Sequence, residues 1–177
     1  MKFSLRITLL CLVLFAFSAN VFSQNDVFNL ARSGTVENLK ILVNKDPEII
    51  NTKNENGFTP LILACYKGNV EVAKFLMEKS KTINTSSDMG TPLMASVVKG
   101  NNVITELLLQ KGANPDLTDN KGTTALMYAA QFQNIDAIKL LLKYKADIEH
   151  KDKEGKTAFE FAVFTNNEEI INILKTN

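Results

Sequence analysis

Thr59-Pro60-Leu61, Thr91-Pro92-Leu93, Thr124-Ala125-Leu126 and Thr157-Ala158-Phe159 recur at spacings of 32, 33 and 33 residues. Such a period constrains the chain more than any other feature, because a short repeated unit buries its apolar faces only by stacking on copies of itself. Two helix-length stretches follow each Thr, and the second carries an aliphatic run: Phe75-Leu76-Met77, Leu107-Leu108-Leu109, Leu140-Leu141-Leu142 and Ile173-Leu174. Each unit therefore reads as a helical pair, and the fold class as all-α. The Thr hydroxyl can cap the first helix, and Pro at the first helical position loses no hydrogen bond. About nine residues on, Gly68 and Gly100 are suited to the left-handed conformation that ends a helix. Gln133-Asn134 and Asn166-Asn167 stand in the corresponding places. Gln tolerates that conformation poorly, so the third unit should turn under slight strain.

These columns resemble the ankyrin repeat family, whose consensus has Gly two residues before Thr-Pro-Leu and Gly-Ala-Asp late in each unit. Here the first Gly appears as Gly57, Gly122 and Gly155, and the late element as Gly112-Ala113-Asn114 and Lys145-Ala146-Asp147. The resemblance implies a solenoid of stacked helix-turn-helix units with short β-turn or hairpin fingers. A degenerate capping unit spans about 25–53, and full units begin near 54, 87, 119 and 152. Two departures stand out. Where the family often has His after Thr-Pro-Leu, this chain has Ile62, Met94, Met127 and Glu160, so a network that usually links neighbouring units should be missing and stability modest. The turn Ser86-Ser87-Asp88-Met89 is one residue short, with Met in place of Gly, which should reshape that finger.

At 177 residues and 45% hydrophobic content, the chain suffices for one continuous, narrow core. Its N-terminus follows another logic. Lys2 and Arg6 precede an apolar run from Ile7 to Phe17, and smaller and polar residues lead to Ser23-Gln24. The pattern reads as a secretory signal peptide over residues 1–23, cut after Ser23, leaving 24–177 as the repeat domain. The run is shorter than the roughly 20 residues that a membrane span needs. Of 20 basic residues Lys2 and Arg6 fall before the cut, leaving 18 against 19 acidic ones. Lys is interspersed with Asp, Glu and Asn, so no basic face for nucleic acid is expected. The mature chain keeps one cysteine, Cys65, read as a buried small thiol.

Catalytic chemistry finds little footing. His150 is the single histidine and reads as a solvent-exposed turn residue, while Asp116, Asp119, Glu168 and Glu169 read as turn and helix-start acids. No nucleophile with a base partner is discernible, so no enzyme, metal or cofactor is expected. What the resemblance implies is a binding face formed by turn tips and the end of each inner helix, lining the concave side. On the helices these are Tyr66 and Lys67, Val98 and Lys99, Gln131 and Phe132, and Phe164 and Thr165. On the turns they are Glu55, Asn56 and Phe58, then Asn120, Lys121 and Thr123, then Glu154 and Lys156. Tyr66, Val98, Phe132 and Phe164 form an apolar stripe suited to a protein partner, with Phe164 equally readable as core. The expected function is a monomeric, non-enzymatic module of the bacterial periplasm or secreted fraction, without membrane insertion after signal removal, that sequesters, inhibits or scaffolds a protein. A structural adaptor of envelope complexes and an immunity protein against a toxin are the alternatives.

Overall fold

The computed structural model describes residues 26–176. The expected leader and its cut after Ser23 lie outside the described residues. Helix α1 covers the described residues 26–33, and α2 (Val36–Lys45) follows, then a 3₁₀ turn at Pro47–Asn51. Four helical pairs come next: α3 (Pro60–Lys67) with α4 (Val70–Lys79), α5 (Pro92–Val98) with α6 (Asn102–Gln110), α7 (Ala125–Gln131) with α8 (Ile135–Lys143), and α9 (Ala158–Thr165) with α10 (Glu168–Thr176). Inner helices α3, α5, α7 and α9 stack in one row, and outer helices α2, α4, α6 and α8 in another. Among the described residues there is no strand, only a lone antiparallel bridge between Ser87 and Gly90.

The inner helices start as the Thr column dictates. Thr59, Thr91 and Thr124 accept the amides of Ile62, Met94 and Met127, each at 3.3–3.4 Å. Three of the four residues in the family's His column bond back to the Thr at the start of their own helix. Met94 and Met127 turn their thioether sulfurs to the Thr91 and Thr124 amides at 3.4 Å, a weak acceptor in each case. Glu160 does the same with a carboxylate, which accepts the Thr157 amide at 2.8 Å and the Thr157 hydroxyl. Those bonds, the hydroxyl foremost, hold the Glu160 carboxyl below its ordinary range.

Helix ends follow the expected conformations: Gly68, Gly100, Gln133 and Asn166 all have positive φ. Lys145, in the column of Gly112, joins them with φ 62°. Gly68 has a further reason to lack a side chain, since an added Cβ would lie 3.0 Å from Asn101 Nδ2.

The units are tied together by side-chain hydrogen bonds that run from one unit to the next. Asn69, Asn101, Asn134 and Asn167 cap α4, α6, α8 and α10 through Oδ1. Three of them also reach back one unit through Nδ2: Asn69 to Gly34 O at 3.0 Å, Asn134 to Asn102 Oδ1 at 2.9 Å and Asn167 to Gln133 Oε1 at 3.0 Å. At the other end of the outer helices Asn51, Asn84 and Asp116 accept the amides of Lys81, Asn114 and Asp147, each about thirty residues on. Each neighbouring pair of units is thus hydrogen-bonded at one or both ends of the outer layer, by Asn and Asp116 side chains rather than by His.

Between the layers runs one core, with Leu61, Leu76, Leu93, Ile104, Leu108, Leu126, Ile138 and Leu141 fully buried. Cys65 lies in it with no exposure, and burial pushes its thiol well above the ordinary range, so it packs as a small apolar group. His150 departs from the expected free turn residue. It is half-buried, and Nε2 lies 3.2 Å from the Gly122 carbonyl of the preceding finger.

Candidate protein-binding groove

Each finger is built on a short polar side chain that closes its own turn. Asn54 Oδ1 accepts the amides of Asn56 and Phe58, Asp119 Oδ1 those of Lys121 and Thr123, and Asp152 Oδ1 those of Glu154 and Lys156, at 2.8–3.0 Å. Backbone bonds Asn54 N to Phe58 O, Asp119 N to Thr123 O and Asp152 N to Lys156 O complete the loop. The second finger has one residue fewer. Its closure is tighter, with Ser87 and Gly90 exchanging both backbone bonds at 3.0 Å and Ser87 Oγ accepting the Met89 amide. Gly90 sits at φ 103°, and a Cβ there would meet Met94 Sδ at 2.3 Å, so only glycine closes this turn. Met89 is left at the tip, 72% exposed. The fingers are linked in turn through Lys53 Nζ to Ser86 O, Asn120 N to Asp88 O and Lys153 N to Lys121 O.

Against this edge the inner helices present a groove of about 480 Å³ lined by Arg32, Phe58, Ile62, Leu63, Tyr66, Lys67, Met89, Met94, Ala95, Val98, Tyr128 and Phe132. The expected residues Phe58, Tyr66, Lys67, Val98 and Phe132 come together here from three units. Tyr66 and Phe132 are about half exposed, at 47% and 53%, while Phe58 and Val98 are half-buried. Phe58 is held in place by the Asn54 turn, and Tyr66 by its position in the last turn of α3, where the Lys67 ammonium lies 5.8 Å from the centre of its ring.

Tyr128 anchors the far end. Its hydroxyl donates to Asp119 Oδ2 at 2.6 Å, and its ring stacks on Phe132 with centroids 6.3 Å apart. Burial first, and then the Asp119 carboxylate, push the Tyr128 phenol far above its ordinary range, so it remains a neutral donor. Asp119 is accordingly more than the loop acid expected of it: a buried carboxylate that ties a finger to an inner helix.

A second hollow of about 490 Å³ lies between the third and fourth fingers. It gathers the expected Asn120, Lys121 and Gln131, with Phe132 and Tyr128 shared between the two hollows and Phe161, Lys153 and Lys156 on the far side. Lys99 and Phe164 line neither. Lys99 is the exposed C-cap of α5, and Phe164 on α9 is 91% exposed, so it is no part of the core.

Sequence reasoning missed Arg32, Met89, Ala95 and Tyr128. Ala95 and Tyr128 share a column with Leu63 and Phe161, one helical turn before the Tyr66 column, and that periodicity was the available signal. Among the described residues no group of three or more His, Cys, Asp or Glu side chains is placed to hold a metal ion, and no helix is long and apolar enough to cross a membrane.

The family model described as ankyrin repeats (3 copies) matches residues 27–119 and 93–177. This chain belongs to the ankyrin repeat family. It is 29% identical over 141 residues to the rat protein "Ankyrin repeat and SAM domain-containing protein 6" and 31% identical to its mouse counterpart, in each case over 80% of this chain and 12% of that protein. A shorter stretch of 52 residues, 29% of this chain and 20% of the relative, is 38% identical to the human "DNA-binding protein RFXANK". Ankyrin repeats in general mediate protein–protein interaction.

Proposed function

We propose that this protein is a binding module of the bacterial periplasm or secreted fraction that sequesters, inhibits or scaffolds a protein partner in the groove bounded by Phe58, Tyr66, Met89 and Phe132. The observation that carries the reading is the groove itself: four aromatic side chains and an exposed Met from three units converge on one apolar surface, the composition that supplies most binding energy in protein interfaces. The human relative's name includes DNA binding, but here the apolar lining and the interspersed charges favour a protein. The positive start, apolar run and small residues up to Ser23 support export.

Copurification from the native envelope fraction, run in parallel with wild type and a Tyr66→Ala/Phe132→Ala variant, tests the groove. A protein retained by the first and lost by the second is the expected result; equal recovery overturns the reading. N-terminal sequencing tests the location, with Gln24 as the expected first residue and Met1 retained in the cytosol as the contrary outcome.

A further inference from the structure

We infer that the partner inserts an acidic apolar segment, large apolar or aromatic side chains interleaved with carboxylates, into the groove; this rests on the groove being the binding face. Arg32 and Lys67 are the charged residues of the lining, and no carboxylate accompanies them. Neither takes part in an ion pair among the described residues, where the salt bridges are Lys74–Glu71, Lys81–Glu48, Lys139–Glu169 and Lys156–Glu154. Arg32 spends one guanidinium nitrogen on Asn29 Oδ1 at 3.2 Å, and Lys67 hangs over the Tyr66 ring. Both cations are thus held at the mouth of an apolar channel without a counter-charge. A carboxylate docked there is met by directed donors at the edge of a low-dielectric surface, where charge complementarity decides which segment binds. Asp119, hydrogen-bonded behind Tyr128, is not part of the lining. The chain's own residues 1–25 are unsuited as occupant: they carry Lys2 and Arg6 and no acidic residue.

Panning random peptides displayed on phage against the protein recovered from expression of the full chain tests this, each enriched peptide being resynthesised and titrated. The expected outcome is a set of apolar, net acidic peptides whose binding is lost on Tyr66→Ala/Phe132→Ala. Arg32→Gln/Lys67→Gln should weaken them about tenfold, the scale of two partly exposed ion pairs. Circular dichroism of both variants checks that helicity is kept. Peptides that need Tyr66 and Phe132 but are neutral or basic overturn the acidic partner while the groove reading stands. Peptides indifferent to Tyr66 and Phe132, or no enrichment at all, overturn both. A concentration-dependent dimer by light scattering that Tyr66→Ala/Phe132→Ala abolishes names a second copy as occupant and overturns the acidic segment.

Discussion

At the scale of single residues, the chain spends its polar side chains on local satisfaction, and two of them lend themselves to measurement. Tyr128 gives its hydroxyl to the buried Asp119 at 2.6 Å. Tyr128→Phe keeps the ring in the groove but removes one donor from a carboxylate held otherwise by the Lys121 and Thr123 amides. Leaving that oxygen short of a partner should cost about 1–3 kcal/mol in a urea titration, with the helical spectrum unchanged. Glu160 offers a pH test. Its carboxyl is held below the ordinary value of 4.5, first by the Thr157 hydroxyl and then by the Thr157 amide. A lowered folded-state value means that the stabilisation is present above the unfolded value and is lost as pH falls through the folded one. The melting temperature of wild type should therefore exceed that of Glu160→Gln at neutral pH, and the gap should narrow as pH falls below 4.5 and through the lowered folded-state value. The group is exposed, so the gap itself should be small.

At the scale of elements, helix termini show where the sequence was legible and where it was not. The Thr and Gly columns predict starts and stops because capping is local: one hydroxyl or one missing Cβ decides it. The strain expected at Gln133 is found, at φ 54°, and Lys145, in the column of Gly112, carries the same conformation at φ 62°. Gln133→Gly and Lys145→Gly should each stabilise the protein by about 1 kcal/mol in chemical denaturation. Asn166→Gly should gain less, since Asn enters this region more readily. What spans two units was harder to read. The bonds from Asn69, Asn134 and Asn167 across to the preceding unit depend on how helices stack, which no window of sequence contains, although the Asn column itself was visible. Met89 is the sharpest case. The missing residue in its finger was apparent, but that the shorter turn would put Met89 at the groove follows only from the closure of Ser87 on Gly90. Arg32 was hidden for another reason: it comes from the capping unit, whose repeat pattern is degenerate.

At the scale of the whole molecule, a solenoid separates stability from recognition, because the core runs between the two helical layers and the groove lies on the face that the inner helices turn to the fingers. Residues on the two surfaces should answer mutation differently. Leu93 and Leu126 are buried, and truncating either to Ala should cost about 2–5 kcal/mol of stability. Tyr66 and Phe132, each about half exposed, contribute less to the fold. Replacing either with Ala should leave helicity and most of the melting temperature intact while weakening the partner by about 2 kcal/mol or more if it is an interface anchor. Phe164 is the internal control. It is more exposed than either, yet it stands outside the groove, so Phe164→Ala should change neither quantity appreciably. Melting temperature and affinity measured together on the three single variants decide the matter. Loss of binding at Tyr66 and Phe132 with none at Phe164 places recognition in the groove, whereas a large fall in stability with unaltered affinity per folded molecule would return the aromatic residues to the core and leave the groove without a role.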